Sequence, residues 1–277
     1  MRWIQLDAGL VPKQGSLLPS EARLLAVLAP LVDGARAEGL ESFWLLRKDP
    51  GLRLRFGGRA LPSELRARLD AALAELRREG VVSTAFPSVY EPETARFGGE
   101  AVMEAVHRHL DRDTAAFMAW ARAHADAPLP FTLSVLTLAV MVDRVARCIP
   151  ERAEIWDVWE RLRRTYAAPD EPAVPPVSIP AIGLRRLAEV GGPRARAVLE
   201  RYAAVDEALA SELEALWRAG ELGVGRRGLL CTLAAFHWNL HRIDRPTMAR
   251  LSQAMASHYD PHRERPEPAV ARGGRAS

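Results

Sequence analysis

Cysteine and lysine are nearly missing from this 277-residue sequence, and long hydrophobic runs are missing altogether. The two cysteines, Cys148 and Cys231, form no CxxC pair, which argues against a disulfide framework and a thiolate metal site. The longest apolar stretch, FTLSVLTLAVMV at 131–142, stops at Asp143 and Arg144, too short to span a bilayer. The N-terminus, MRWIQLDAGL, carries Asp7 early and lacks the apolar run of a signal peptide. Charge of one sign is scarce too: Lys+Arg is 38 and Asp+Glu 35, mixed along the chain without a like-signed block. That balance, with no aromatic-plus-basic motif, excludes an obvious direct nucleic-acid partner. Walker loop, GxGxxG, GxSxG elbow and kinase signature are all absent. The expectation is a soluble cytoplasmic protein without membrane attachment.

What is abundant is arginine. Only Lys13 and Lys48 are lysines, so all but two of the 38 basic residues are arginine. In such a background a single Arg-x-Arg pair carries little information, and arginines must be weighed by their company.

Periodicity predicts an α+β fold. WIQL at 3–6 reads as a short strand, and SEARLLAVLAPLVDGARAEG at 20–39 as a helix capped by Ser20, kinked at Pro30 and stopped at Gly39. SFWLLR (42–47) and LRLRF (52–56) flank the turn sequence KDPG and predict a hairpin. Ser63 caps a helix in which Leu65, Leu69, Leu73 and Leu76 repeat at helical spacing, and VVSTAFPSVY (81–90) reads as another strand. This strand–helix–hairpin–helix–strand layer, about 1–98, precedes a helical part at about 99–260. Its helices are expected near 99–124, 131–148, 151–166, 183–219 and 226–257. A Pro-rich loop (167–180) divides them, and the Pro/Gly-rich tail 261–277 is expected to be disordered. The whole reads as one α+β unit over 1–260.

Three constellations could carry chemistry. In the hairpin, Arg53 and Arg55 share parity and Arg47 lies across the turn, so all three are placed on the polar face. Clustered guanidinium groups need an anion, and their two-pronged fork fits a carboxylate; a solvated strand face paired with local acids is the competing reading. In YEPETARFGG (90–99), Glu93 and Arg96 are three apart beside Gly98-Gly99, able to hold a polar ligand or each other. In FHWNLHRID (236–244), His237 falls behind Leu230, Leu233 and Ala234 on an apolar face. It reads as a hydrogen-bonded core residue or as a buried general acid/base. His237 and His241 form HxxxH, but Trp238 stands where a zincin needs glutamate, so no zinc or other metal is expected. His107, His109 and Asp113 in HRHLDRD fall on different helix faces and read as surface or packing residues.

FWLLRKDPGLRLRF followed by YEPETARFGG resembles the C-terminal elimination domain of lantibiotic dehydratases, closest to the freestanding thiopeptide-type bacteriocin biosynthesis proteins. The family pattern is matched at Arg47, Arg53, Arg55, Tyr90, Glu93, Arg96, Gly98, Gly99 and HWNLHR, with HLDRDT (109–114) resembling its acidic Asp-Ser/Thr stretch. Three positions depart: Phe97 stands for tyrosine, Trp238 for methionine and His241 for asparagine. The resemblance covers nearly the whole chain in order and spacing.

It implies a lyase that eliminates glutamate from glutamylated Ser/Thr of a ribosomal precursor peptide, leaving dehydroalanine or dehydrobutyrine. A chain of 277 residues has no room for the large glutamylating domain, so a separate tRNA-dependent glutamylating subunit is the implied partner. A homodimer is the implied assembly, and no cofactor is implied. Arg55, Arg96 and His237 are the implied catalytic residues, with Glu93 orienting an arginine or sharing proton transfer. Arg47, Arg53, Tyr90 and Arg242 are the implied substrate contacts. The same fold also hosts pyridine-forming [4+2] cyclases of thiopeptide biosynthesis, and a noncatalytic peptide-presenting subunit is the third alternative. Retention of the Arg-Leu-Arg and Glu-x-x-Arg patterns favours elimination.

Overall fold

The computed structural model describes residues 1–49, 51–167 and 183–262. The Pro-rich loop at 167–180 and the tail from 261 lie, but for residues 167, 261 and 262, outside the described residues. Strand β1 (Arg2–Leu10) leads to helix α1 (Leu18–Ala37), strands β2 (Ser42–Lys48) and β3 (Gly51–Gly58), helix α2 (Leu65–Arg78) and strand β4 (Val82–Ser88). A short helix α3 (Thr94–Phe97) then precedes α4 (Glu100–Asp126), α5 (Leu133–Cys148), α6 (Arg152–Tyr166), α7 (Leu184–Arg218), α8 (Arg226–Leu240) and α9 (Arg245–Tyr259). The α+β layering is as predicted.

The sheet is antiparallel in the order β2-β3-β1-β4. Strand alternation sorts its two faces. Leu52, Leu54 and Phe56 point with Leu6, Leu45 and Phe43 into a core closed by Leu24 and Leu28 of α1 and Leu69 and Leu73 of α2. The helices bury a second core, centred on Trp159, Trp238, Met141 and Val106. Trp44 on the other face of the sheet packs into that second core, so the sheet is covered on both sides at this point.

Several local expectations are corrected. The helix expected at 226–257 is two helices, because Arg242 adopts φ 56° and Asp244 starts α9 by accepting a hydrogen bond from the Thr247 amide at 2.8 Å. Helix α7 breaks at Gly192 (φ 74°), followed by Pro193. Ser20 caps nothing: α1 starts earlier, and the Ser20 hydroxyl donates to the Val11 carbonyl at 2.6 Å, tying helix to strand. Ser63 is no cap either, since α2 begins after Glu64 without a side-chain cap.

Candidate functional site

The antiparallel register decides where each hairpin arginine goes. Trp44 and Leu46 of β2 pair with Arg55 and Arg53 of β3, whereas Arg47 pairs with Leu52. Directly paired residues share a face. Arg47 therefore points opposite to Arg53 and Arg55, which corrects the expected three-arginine face. Its guanidinium donates to the backbone carbonyls of Asn239 (3.0 Å) and Leu240 and binds Glu21. Its own amide donates to Asn239 Oδ1 at 2.8 Å. Arg242 reaches the same Glu21, with Nε at 3.1 Å. Two arginines on one buried carboxylate thus fasten the end of α8 to α1 and β2.

Arg53 and Arg55 face partners on β1, again by register: Arg53 opposite Asp7, Arg55 opposite Gln5. Arg53 Nε donates to Asp7 Oδ1 at 2.9 Å, a half-buried ion pair. Arg55 differs. It is 8% exposed, and its one hydrogen bond among the described residues runs from Nε to the neutral Gln5 Oε1 at 2.6 Å. Its guanidinium lies 4.2 Å from the Trp44 ring centroid and 4.4 Å from that of Tyr90. These aromatic faces offset part of the cost of burying a cation. Among the described residues no carboxylate pairs with it. Burial pushes its pKa down to about 10, against upward pulls that include Glu93 and Asp7. Gln5 is held in turn, donating to Ser88 Oγ at 2.7 Å and to the Val89 carbonyl at 3.1 Å.

Tyr90 connects this cation to a cleft. Its hydroxyl lies 2.6 Å from His107 Nε2, and Trp3 packs against both rings at 4.8 and 4.6 Å. Trp3 can lie there because Gly57 beneath it has no side chain; a Cβ would come within 2.6 Å of the indole. Tyr90, His107, Trp3, Ser88, Glu100 and Glu104 are among the residues lining a cleft of about 680 Å³. Arg55 stands outside that lining but touches Tyr90 and, through Gln5, reaches Ser88. Arg53 and Ser88 also line a smaller neighbouring cleft of about 260 Å³. Burial raises the Tyr90 pKa to about 12, and burial followed by the Arg55 charge lowers that of His107 to about 4. Both groups are therefore neutral across ordinary pH. His107 was expected as surface or packing; it belongs to the cleft.

Glu93 and Arg96 bind each other at 2.6 Å, with Arg96 57% exposed. The mutual pair, one of the two readings of this turn, is formed. Gly98 (φ 90°) closes α3, and a Cβ there would collide with the Val224 amide at 2.7 Å.

His237 is elsewhere. It has no exposed surface, and its Nδ1 lies 2.8 Å from Asp113 Oδ2. Asp113 Oδ1 accepts from Arg144 Nη2 at 3.0 Å, and Arg144 Nε donates to Asp206 Oδ1 at 2.7 Å. The Tyr202 hydroxyl lies 3.1 Å from His241 Nε2, and the His237 and His241 rings are 4.4 Å apart. Burial, only partly opposed by Asp113, lowers the His237 pKa. Asp113 was also expected as surface or packing, and it is the hub of this network. The signal that could have found it is its spacing: Asp113 falls at helical spacing from Val106, Leu110 and Phe117, among the apolar residues of α4.

The geometry thus brings Arg55 and Tyr90 together, places Arg53 alongside, leaves Glu93 and Arg96 exposed at the start and in the body of α3, and puts His237 inside the helical bundle. Among the described residues no three His, Cys, Asp or Glu side chains are grouped to hold a metal ion. No helix among them is long and apolar enough to cross a membrane.

Comparison with known proteins fits this arrangement into a family. Residues 17–259 match the family described as lantibiotic biosynthesis dehydratase C-term. The chain belongs to that family. Among solved structures it is similar to the tRNA-dependent lantibiotic dehydratase MibB from Microbispora sp. 107891, with TM-score 0.70 and 21% identity. That match covers 92% of this chain and 28% of MibB, so the chain spans just over a quarter of its relative's length. A structure of TsrL matches with TM-score 0.37 and 15% identity over 92% of this chain and 98% of that one. No curated protein matches the sequence. The MibB likeness is one of fold.

Proposed function

We propose that this chain, as a single unit over about 1–260, is a lyase acting on a glutamylated ribosomal peptide. It removes glutamate from glutamyl-Ser or glutamyl-Thr and works beside a separate glutamylating subunit. The observation that carries the reading is Arg55: a buried cation held by two aromatic rings and a neutral amide, with no carboxylate partner among the described residues. Burying a charge without an opposite charge is costly. A carboxylate-bearing ligand would supply what the fold omits, and the glutamyl group brings such carboxylates.

In the elimination a base takes the Cα proton, the electron pair forms the Cα=Cβ double bond, and the Cβ–O bond breaks with its pair leaving on the glutamate carboxylate. Donors aimed at that carboxylate lower the barrier because the charge on it grows along the reaction. Arg55 takes this role, and Arg53 steers the anion from the neighbouring cleft. Arg96, exposed and bound to Glu93, takes the substrate by exchanging Glu93 for it. His237 is the proton carrier in this reading. Asp113 holds Nδ1, and Nε2 has no partner among the described residues, the arrangement of a base oriented by an acid. Its burial requires the packing around α8 to open when substrate binds.

The test is mass spectrometry of an authentic glutamylated Ser peptide incubated with the protein. Loss of glutamic acid to leave dehydroalanine, slowed about 10²–10³-fold in Arg55→Met, supports the reading. Full retention of the glutamyl group by wild-type protein overturns it, and turnover of a dehydrated, leader-bearing peptide to a pyridine would replace it with cyclisation.

A further inference from the structure

The hydrogen bond between Tyr90 and His107 can run in only one direction at a time. If His107 Nε2 is bare, Tyr90 gives it the only proton the phenol has, and nothing remains for a ligand. If Nε2 carries the proton, the imidazole donates to the Tyr90 oxygen, and the phenol proton turns into the cleft. Neutral imidazole has both tautomers available, and the two groups are kept neutral by their burial. The pair sits at 2.6 Å in the lining of the cleft, with Trp3 fixing both rings.

We propose that His107 is a positioning residue that presents the Tyr90 hydroxyl as a donor to a glutamyl carboxylate in this cleft. The inference rests on the glutamate-elimination reading for its substrate. Two of the charged groups of the lining, Glu100 and Glu104, suit the same guest, because a glutamyl unit linked through a carboxyl group retains an ammonium. The cleft then offers the Tyr90 hydroxyl as a donor and Glu100 and Glu104 as carboxylates, and Arg55 behind Tyr90 polarises the phenol toward donation. No bond to carbon is made or broken by this pair; it orients one proton.

Two measurements decide it. In protein carrying ¹⁵N-histidine, the ring-nitrogen shifts report which nitrogen of His107 is protonated. With saturating L-glutamate as the probe, Nε2 is expected to carry the proton. The Nδ1–H form in that complex, or no perturbation of His107 by up to about 50 mM glutamate, overturns the proposal whatever the enzyme does. The second measurement is a double-mutant cycle on elimination of a glutamylated peptide. Tyr90→Phe is expected to lower kcat about tenfold, His107→Leu nearly as much, and the double variant no further than Tyr90→Phe alone. His107→Gln, which keeps an N–H within reach of the phenol, is expected to recover most of the rate. Multiplying losses without rescue by glutamine would mean that His107 only packs. Absence of elimination by the wild type would instead sink the lyase reading, with the glutamate-bound tautomer still deciding the role of His107.

Discussion

Arg55 and Arg144 are both buried, and they are provided for in opposite ways. Arg144, on α5, is fully enclosed between two aspartates from two other helices, Asp113 and Asp206. Their charges outweigh its desolvation and raise its pKa. Arg55, on β3, has rings and an amide around it, and desolvation lowers its pKa to about 10. The difference separates scaffold from site. A cation whose charge is answered inside the chain holds elements together, whereas one whose charge is left over is available to something from outside.

The sharpest way to break the comparison is to remove each cation in turn. Arg144→Met leaves Asp113 and Asp206 buried with their shared partner gone, and an orphaned buried charge costs about 3–5 kcal/mol. Urea unfolding is expected to show a loss of that size. Arg55→Met removes a charge that no carboxylate among the described residues pairs with, so the same urea experiment is expected to show a change within about 1 kcal/mol. Its effect falls on the reaction: loss of one donor to a developing carboxylate costs about 10²–10³ in kcat, read by the rate of dehydroalanine formation. If Arg55→Met were the variant that unfolds and Arg144→Met the one that folds and fails to turn over, the assignment of site and scaffold would be reversed.

Much of this contrast was legible in sequence, but unequally. The alternation in GLRLRF placed Leu52, Leu54 and Phe56 on the core face and Arg53 and Arg55 on the other, because strand geometry fixes parity within one strand. It could not place Arg47, since its face depends on the hairpin register, which pairs Trp44 rather than Arg47 with Arg55. Parity also could not show that Arg55 lacks a carboxylate. That depends on Gln5 standing opposite it while Asp7 stands opposite Arg53, a matter of long-range pairing. The helical half was read well in its outer boundaries and poorly in its breaks and interior. The expectation of three different faces is corrected: His109 and Asp113, four apart, share one face of α4 and His107 lies on another, and each face packs on a different neighbour, His107 on Trp3 and Tyr90, Asp113 on His237 and Arg144. Helical spacing describes one helix and is silent about the partners that give each face its meaning. The break at Arg242 was missed for a similar reason: the residue adopts a left-handed conformation in a turn whose guanidinium is fixed by Glu21 from a distant helix.

His109 sharpens the comparison at intermediate scale, as a titratable group that neither region provides for. It is buried with neither ring nitrogen partnered among the described residues. Burial first, and the charge of Arg144 second, lower its pKa to about 3. In the unfolded chain a histidine takes up its proton near 6.5. Between about 6.5 and 3 the unfolded state therefore binds a proton that the native state refuses, and stability falls as pH falls through that window. His109→Leu removes this liability and breaks no hydrogen bond given by the structure. From pH 7.5 to pH 5 the leucine variant is expected to lose less stability than the wild type, by on the order of 2 kcal/mol, measured by urea unfolding at both values. Equal losses would mean that His109 takes up its proton in the native state.

The smallest effect is expected at Glu93 and Arg96, where an ion pair is exposed instead of buried. Such pairs contribute about 0–1 kcal/mol. Arg96→Gln is therefore expected to leave urea unfolding unchanged within about 0.5 kcal/mol, at low and at high salt alike. This makes it the cleanest probe of function, since any loss of elimination cannot be blamed on the fold. If Arg96 exchanges Glu93 for substrate, Arg96→Gln raises KM, and Glu93→Gln, which frees the guanidinium, lowers it. Movement of both variants in the same direction would show that the intact pair, and not the arginine alone, is what the substrate meets. The outcome separates a surface turn held by its own charges from a second place where the chain keeps a cation in reserve.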